Sequence, residues 1–175
     1  NGNGGNEGTP QNTDNNSGDS STPTDPRDCT RTGFEAGQEI ADTDGSNYFY
    51  RAMQGTETLY DMLSVNSFAQ WNGPSAPGTY SLDGINYKDC GLCLRMYSDC
   101  DGENCAKMYY ASEGSVEISS IGAQGTLFVA SMNNVVFKES IFADDFTSSD
   151  VANGEIWCLE EYSFSQEFGA GITGD

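Results

Sequence analysis

From residue 47 onward the chain alternates short runs rich in Tyr, Phe, Leu, Met, Ile and Val with clusters of turn residues, and no stripe of helical period interrupts the pattern. Asn47–Gln54 and Glu57–Phe68 are the first two strands. In the second, Leu59, Leu63 and Val65 share a face with Asp61, a period-two pattern with one polar interruption. Gly73-Pro74 and Pro77-Gly78 punctuate before a strand at Gly78–Leu82. Leu92–Ser98 and Ala106–Ser112 flank the turn Asp99–Cys105 and form a hairpin. Ser115–Ser120 places Val116 and Ile118 inward, with Ser115, Glu117 and Ser119 outward.

Gly125–Met132 and Asn134–Ile141 then predict a second hairpin. Met132-Asn133-Asn134 supplies the positive φ at its turn, and Val135, Phe137 and Ile141 fall on one face. Phe142–Asp150 reads as a loop. The last strand, Glu155–Phe168, has Ile156, Cys158, Tyr162 and Phe164 on one side. One apolar and one polar face over about eight or nine strands is the pattern of an all-β antiparallel fold, closed as a sandwich or barrel. Of the two, a disulfide-stapled β-sandwich, jelly-roll-like or Greek-key, is the expectation.

The residues before this region differ in kind. Asn1–Asp28 contains no aliphatic, aromatic or sulfur side chain, and Arg27 is its only base. Such a segment buries too little apolar surface to offset the entropy of ordering its backbone, so residues 1–28 are expected to be a disordered polar tether. As a flexible coil it would span about 30 Å root-mean-square. Residues 29–175 then form a single domain, large enough to bury about 68–70% of the surface of its unfolded chain.

The chain carries 27 acids against 7 bases, no histidine, and a formal charge of −20. A field of that sign repels phosphate, which argues against nucleic acid and anionic bilayers as partners. No apolar run approaches the roughly 18–20 residues that cross a bilayer. No signal peptide is present and the chain does not begin with Met, so an N-terminus left by processing is expected. Contact with a membrane is expected only through a lipid anchor that the sequence does not contain.

Cys29, Cys90, Cys93, Cys100, Cys105 and Cys158 make an even set. Four of them form C-x2-C-x6-C-x4-C, a pattern in which four thiolates could hold zinc or an iron–sulfur cluster. The unequal spacing, and the strand-like Leu94–Tyr97 between the pairs, favour disulfides instead. Cys100 and Cys105 bracket a hairpin tip and are expected to bond each other. Cys29, Cys90, Cys93 and Cys158 allow three connectivities, which spacing leaves open.

Two acidic turns carry a D-x-D-G core: Asp42 and Asp44 before Gly45, and Asp99 and Asp101 before Gly102 and Glu103. Both are candidate calcium loops, although neither completes an EF-hand and Asp-Gly is also a common turn dipeptide. Without histidine there is no Ser–His–Asp or Cys–His arrangement, which leaves only paired carboxylates for catalysis. Asp144-Asp145 and Glu160-Glu161 are adjacent acids that a strand would point to opposite faces, so catalysis is not expected. Tyr48, Tyr50, Tyr87, Tyr109 and Tyr110 lie near turns, where exposed rings could stack on sugars; the same residues also suit a sandwich core.

Taken together, Gly73-Pro74-Ser-Ala-Pro77-Gly78-Thr79-Tyr80, Asn86-Tyr87-Lys-Asp-Cys90-Gly-Leu-Cys93, the Cys100…Cys105-Ala-Lys107 hairpin and Gly114-Ser-Val116-Glu-Ile118 resemble uncharacterised bacterial surface lipoproteins. Those proteins have a polar leader and a cysteine-containing β domain, and the likeness covers about Thr58 to Phe164. It implies an all-β fold and an outer-surface or periplasmic location, and it implies no activity. The functional expectation is a non-catalytic surface module binding a glycan, a cation or a protein. The alternatives are a self-assembling structural subunit and a carboxylate-based glycan hydrolase.

Overall fold

The computed structural model describes residues 1–2, 28–102 and 104–170. The expected tether lies outside the described residues except at its two ends. Ten strands follow in order: β1 (Arg31–Thr32), β2 (Gln38–Thr43), β3 (Tyr48–Gly55), β4 (Tyr60–Ser67), β5 (Gly78–Ser81), β6 (Leu92–Asp101), β7 (Asn104–Ser120), β8 (Leu127–Phe142), β9 (Ser148–Asp150) and β10 (Ile156–Ala170). Two single 3₁₀ turns, Ala69–Trp71 and Tyr87–Asp89, are the helical elements among the described residues. The all-β, mostly antiparallel and disulfide-stapled expectation holds.

The expected sandwich takes the form of a sheet that closes on itself. β2, β3, β4, β6, β7, β8 and β10 are successive antiparallel neighbours, and β10 then returns to β2 in parallel, with Phe168 opposite Ala41. β1 takes the same edge of β10 at its other end, with Arg31 opposite Trp157. The seam of the ring is therefore the N-terminal stretch lying parallel to the last strand. Closure removes the exposed edges that an open sheet would present. β1 and β2 did not stand out in the sequence because Gln38–Thr43 holds only two apolar residues, Ile40 and Ala41.

Two corrections concern β7 and β8. Each is one long strand, and Met132-Asn133-Asn134 is not a hairpin turn. Asn134 does take a positive φ, of 52°, but inside β8, facing Gly114 of β7 at φ 106°. A Cβ on Gly114 would lie 2.7 Å from the Asn134 carbonyl oxygen, so only glycine allows the strands this close. The pairing slips on both sides of Gly114. The buried positions switch parity there: Tyr109 and Ala111 give way to Val116 and Ile118 in β7, and Val135 and Phe137 follow Met132 in β8. The positive φ marks a bulge that bends both strands, as expected where a sheet curves into a barrel. Two smaller expectations also change. Ile141 is 61% exposed because β8 has by then left the ring. The Phe142–Asp150 loop contains β9, paired with Ser140–Phe142.

Side chains fill the ring. Tyr50, Tyr109, Phe128, Phe137, Phe168 and Met96 are fully buried in one cluster. Tyr50 stacks on Phe164 at 3.7 Å, and Phe128 stacks on Phe168 at 5.2 Å. Rings this small have interiors just wide enough for their own side chains. Of the five tyrosines considered as exposed platforms, Tyr48, Tyr50, Tyr109 and Tyr110 are buried. Tyr87 is half-buried on the outer face, edge-on to Tyr110 and Phe142 beside Cys90 and Cys93.

Candidate functional site

Each strand of the ring points every second side chain inward, so the last inward residue at an open end decides that end's chemistry. At the end near β1 those residues are polar. Asp61 precedes Leu63 and Val65 in β4, and Ser98 follows Leu94 and Met96 in β6. Lys107 precedes Tyr109 in β7, and Glu139 follows Phe137 in β8. Glu155 precedes Trp157 at the start of β10.

These residues bond one another across the mouth. Lys107 Nζ lies 2.9 Å from Glu155 Oε1 and 3.1 Å from Glu139 Oε2. The Tyr109 hydroxyl donates to Glu155 Oε2 at 2.7 Å, and the Glu155 amide donates to Glu139 Oε2 at 2.9 Å. Arg31, carried in by β1, stands 3.6 Å from Asp99 Oδ2, 3.7 Å from Glu155 Oε2 and 3.8 Å from Asp61 Oδ2. Its guanidinium lies 4.8 Å over the Trp157 ring. The Trp157 indole in turn donates to the Gly33 carbonyl at 2.8 Å.

The bond from Lys107, then that from Tyr109, holds the Glu155 carboxyl below the usual carboxylate range. The same pairing, with Glu155 before Glu139, raises the Lys107 ammonium. Two carboxylates thus converge on one cation, and Glu155 is not prepared as a proton donor, which would require its affinity for a proton to rise.

Two clefts open beside this ring. One, of about 370 Å³, is lined by Arg31, Phe34, Glu35, Gln54, Asp61 and Trp157. The other, of about 640 Å³, is lined by Gly37, Gln38, Met53, Glu57, Tyr60 and Gly102. The first has an aromatic floor beneath acids, and the guanidinium already seated there shows what such a surface holds.

The six cysteines form three disulfides: Cys29–Cys158, Cys90–Cys93 and Cys100–Cys105. The pairing of Cys100 with Cys105 follows from their facing positions in the β6–β7 register. Each C-x2-C or C-x4-C pair bonds internally, which removes the four-thiolate cluster considered from the spacing. Three disulfides fit an oxidising, extracytoplasmic compartment.

The two D-x-D-G turns sit at opposite ends of the ring. Both Asp44 carboxylate oxygens are taken up locally, accepting from the amides of Ser46 (2.9 Å) and Asn47 (2.7 Å) and from Asn47 Nδ2 (2.7 Å). These bonds, led by that from the Asn47 amide, hold the Asp44 carboxyl below its ordinary value. Asp42 stands opposite Phe49, Asp101 opposite Asn104, and Asp99 belongs to the mouth; Glu103 lies outside the described residues. No group of three or more cysteine or acidic side chains is placed to hold a metal ion among the described residues. Of the adjacent acids, Asp145 instead pairs with Lys88 at 2.9 Å.

Of the mouth residues, the sequence marked only Asp61, as a polar interruption, and Asp99, as a turn acid. Lys107, Glu139 and Glu155 carried the same signal, each a charged residue one step beyond an apolar period-two row, whereas Arg31, followed at that period by Gly33 and Glu35, carried none. Compared with known proteins, the chain matches no family model, no curated protein and no solved structure.

Proposed function

We propose that this protein is a non-catalytic recognition module of the cell surface, held on its polar leader as a lipoprotein, that takes a cationic segment of a partner protein at the mouth of the barrel. The observation that carries this reading is the seat of Arg31, a guanidinium held over Trp157 with carboxylates of Asp61, Asp99 and Glu155 around it. Acids outnumber bases in the ring, and the clefts beside it add Glu35 and Glu57. A charge of −20 steers basic partners toward such a surface and speeds their encounter. The packed interior supports surface capture, since Tyr50, Phe128, Phe137 and Phe168 fill the ring. A hydrolase is less well supported, because Lys107 neutralises the two carboxylates that converge.

Titration with a Lys/Arg-rich peptide tests the reading. Saturable binding is expected at low salt, weakened several-fold in Glu35→Gln/Glu57→Gln and screened as ionic strength approaches about 0.15 M. Both glutamates are exposed and free of the Lys107 network, so the fold should survive their replacement. Binding unchanged in the double variant would contradict the assignment to the mouth.

A further inference from the structure

The described basic side chains are Arg31, Arg51, Lys88, Arg95, Lys107 and Lys138. Arg31, Lys88, Lys107 and Lys138 each have a carboxylate within 4 Å. Arg51 and Arg95 have none among the described residues, in a chain with 27 acids. They are not scattered. On the outer face of the sheet Arg51 stands opposite Ser64, and Ser64 opposite Arg95, so the two arginines flank one buried serine across three strands.

Arg95 is also clamped. Its guanidinium lies 4.8 Å over the Tyr87 ring and 5.5 Å over the Tyr97 ring. The buried Asn66, with its amide oriented to satisfy its neighbours, accepts from Arg95 Nη2 at 3.0 Å. Arg95 Nε is buried without a hydrogen-bond partner. Holding a cation half-buried and unneutralised is unfavourable, and a nearby acid would have relieved it. Burial raises the Tyr97 phenol, while the charges of Arg95 and Arg51 act to lower it.

We propose that Arg95, assisted by Arg51 across Ser64, is a binding site for a single carboxylate group on a compact ligand. With Nε buried and Nη2 bonded to Asn66, the ring-clamped Arg95 has Nη1 left to donate to one carboxylate oxygen, and the exposed Arg51 guanidinium across Ser64 serves the other, a charge-assisted pair of hydrogen bonds. The adjoining register row, Met53, Met62, Tyr97 and Met108, is half-buried and gives the body of the ligand an apolar floor. The charge of −20 disfavours a polyanion and leaves an isolated carboxylate as the ligand this patch suits. The site lies on the outer face, apart from the mouth, and does not depend on the function proposed for it.

The test follows the arginine Nε–Hε signals by ¹⁵N NMR during titration with glucuronate and with N-acetylphenylalaninate. Glucose and N-acetylphenylalanine amide serve as uncharged controls. Saturable shifts of two arginine signals are expected with the carboxylates and none with the controls; the tighter carboxylate tells whether the body is a sugar or an aromatic side chain. Arg95→Lys should weaken binding about tenfold or more, the loss expected when a ring-clamped guanidinium donor is replaced by a mobile ammonium. Arg51→Gln, at an exposed residue, should weaken it several-fold and keeps the test valid if Arg95→Lys does not fold. No shift with either carboxylate, equal binding by Arg51→Gln, or inorganic sulfate binding as tightly as the carboxylates would overturn the proposal.

Discussion

The hydroxyls of Tyr50 and Tyr162 meet 2.6 Å apart inside the barrel, joining β3 to β10 across 112 residues of sequence. Tyr50 is fully buried, so removing its partner leaves a polar atom with little recourse to water. Tyr162→Phe should cost about 1–3 kcal/mol, and Tyr50→Phe/Tyr162→Phe less than the sum of the single changes, read from urea unfolding as a double-mutant cycle.

The same pair sets an alkaline limit. Burial, more than any other influence, pushes the Tyr162 phenol up to about 12 and that of Tyr50 higher still, from an ordinary 10.0. The folded state thus keeps protons that the unfolded chain would release. This contribution is fully present below about pH 10 and is lost as pH rises toward and through 12. Unfolding midpoints should fall steeply over that window, and less steeply in the double phenylalanine variant.

At the acid end, Glu155 supplies the opposite sign. Its carboxyl lies below the ordinary 4.5 because of Lys107 and Tyr109, so its contribution is present above about pH 4.5 and lost as pH falls. Lys107→Met should be less stable than the parent at pH 7, and the gap should narrow as the pH drops below that value. A gap independent of pH would mean that Lys107 acts by packing alone.

Cys29 and Cys158 bond at the seam, where β1 contributes only two paired residues. Short parallel pairing is weak, and the bond encloses 129 residues of separation. Cys29→Ser/Cys158→Ser should lower stability by about 2–5 kcal/mol, measured by denaturant unfolding with the other two disulfides intact.

How much of this was legible depended on which physical signal each part carries. Strands with one wet face announced themselves: Val116 and Ile118 against Glu117 and Ser119 marked the second half of β7 by alternation alone. The Cys100–Cys105 bond followed from a hairpin. The seam did not show, because a parallel pairing between the two ends of a domain leaves no local trace, and β2 is too polar to mark itself. Asn134 was recognised as a residue for positive φ, but a bulge and a turn demand the same backbone, and only the partner Gly114 distinguishes them. The mouth was half-visible in Asp61. Its other members come from five strands, and what brings them together is register rather than any motif. Arg51 and Arg95, without a carboxylate within 4 Å among the described residues, had no signature, since lacking an acid neighbour is a property of the folded surface.

Three internal disulfides staple the closed barrel, and intact mass of the native protein under non-reducing conditions, with alkylation in denaturant, tests them most directly. The predicted result is a chain lighter than its sequence by two hydrogens for each disulfide, with no thiol alkylated and no zinc or iron bound. Alkylatable thiols at Cys90, Cys93, Cys100 and Cys105, together with a stoichiometric metal, would contradict the staples, the compartment they fit and the surface role proposed for the module.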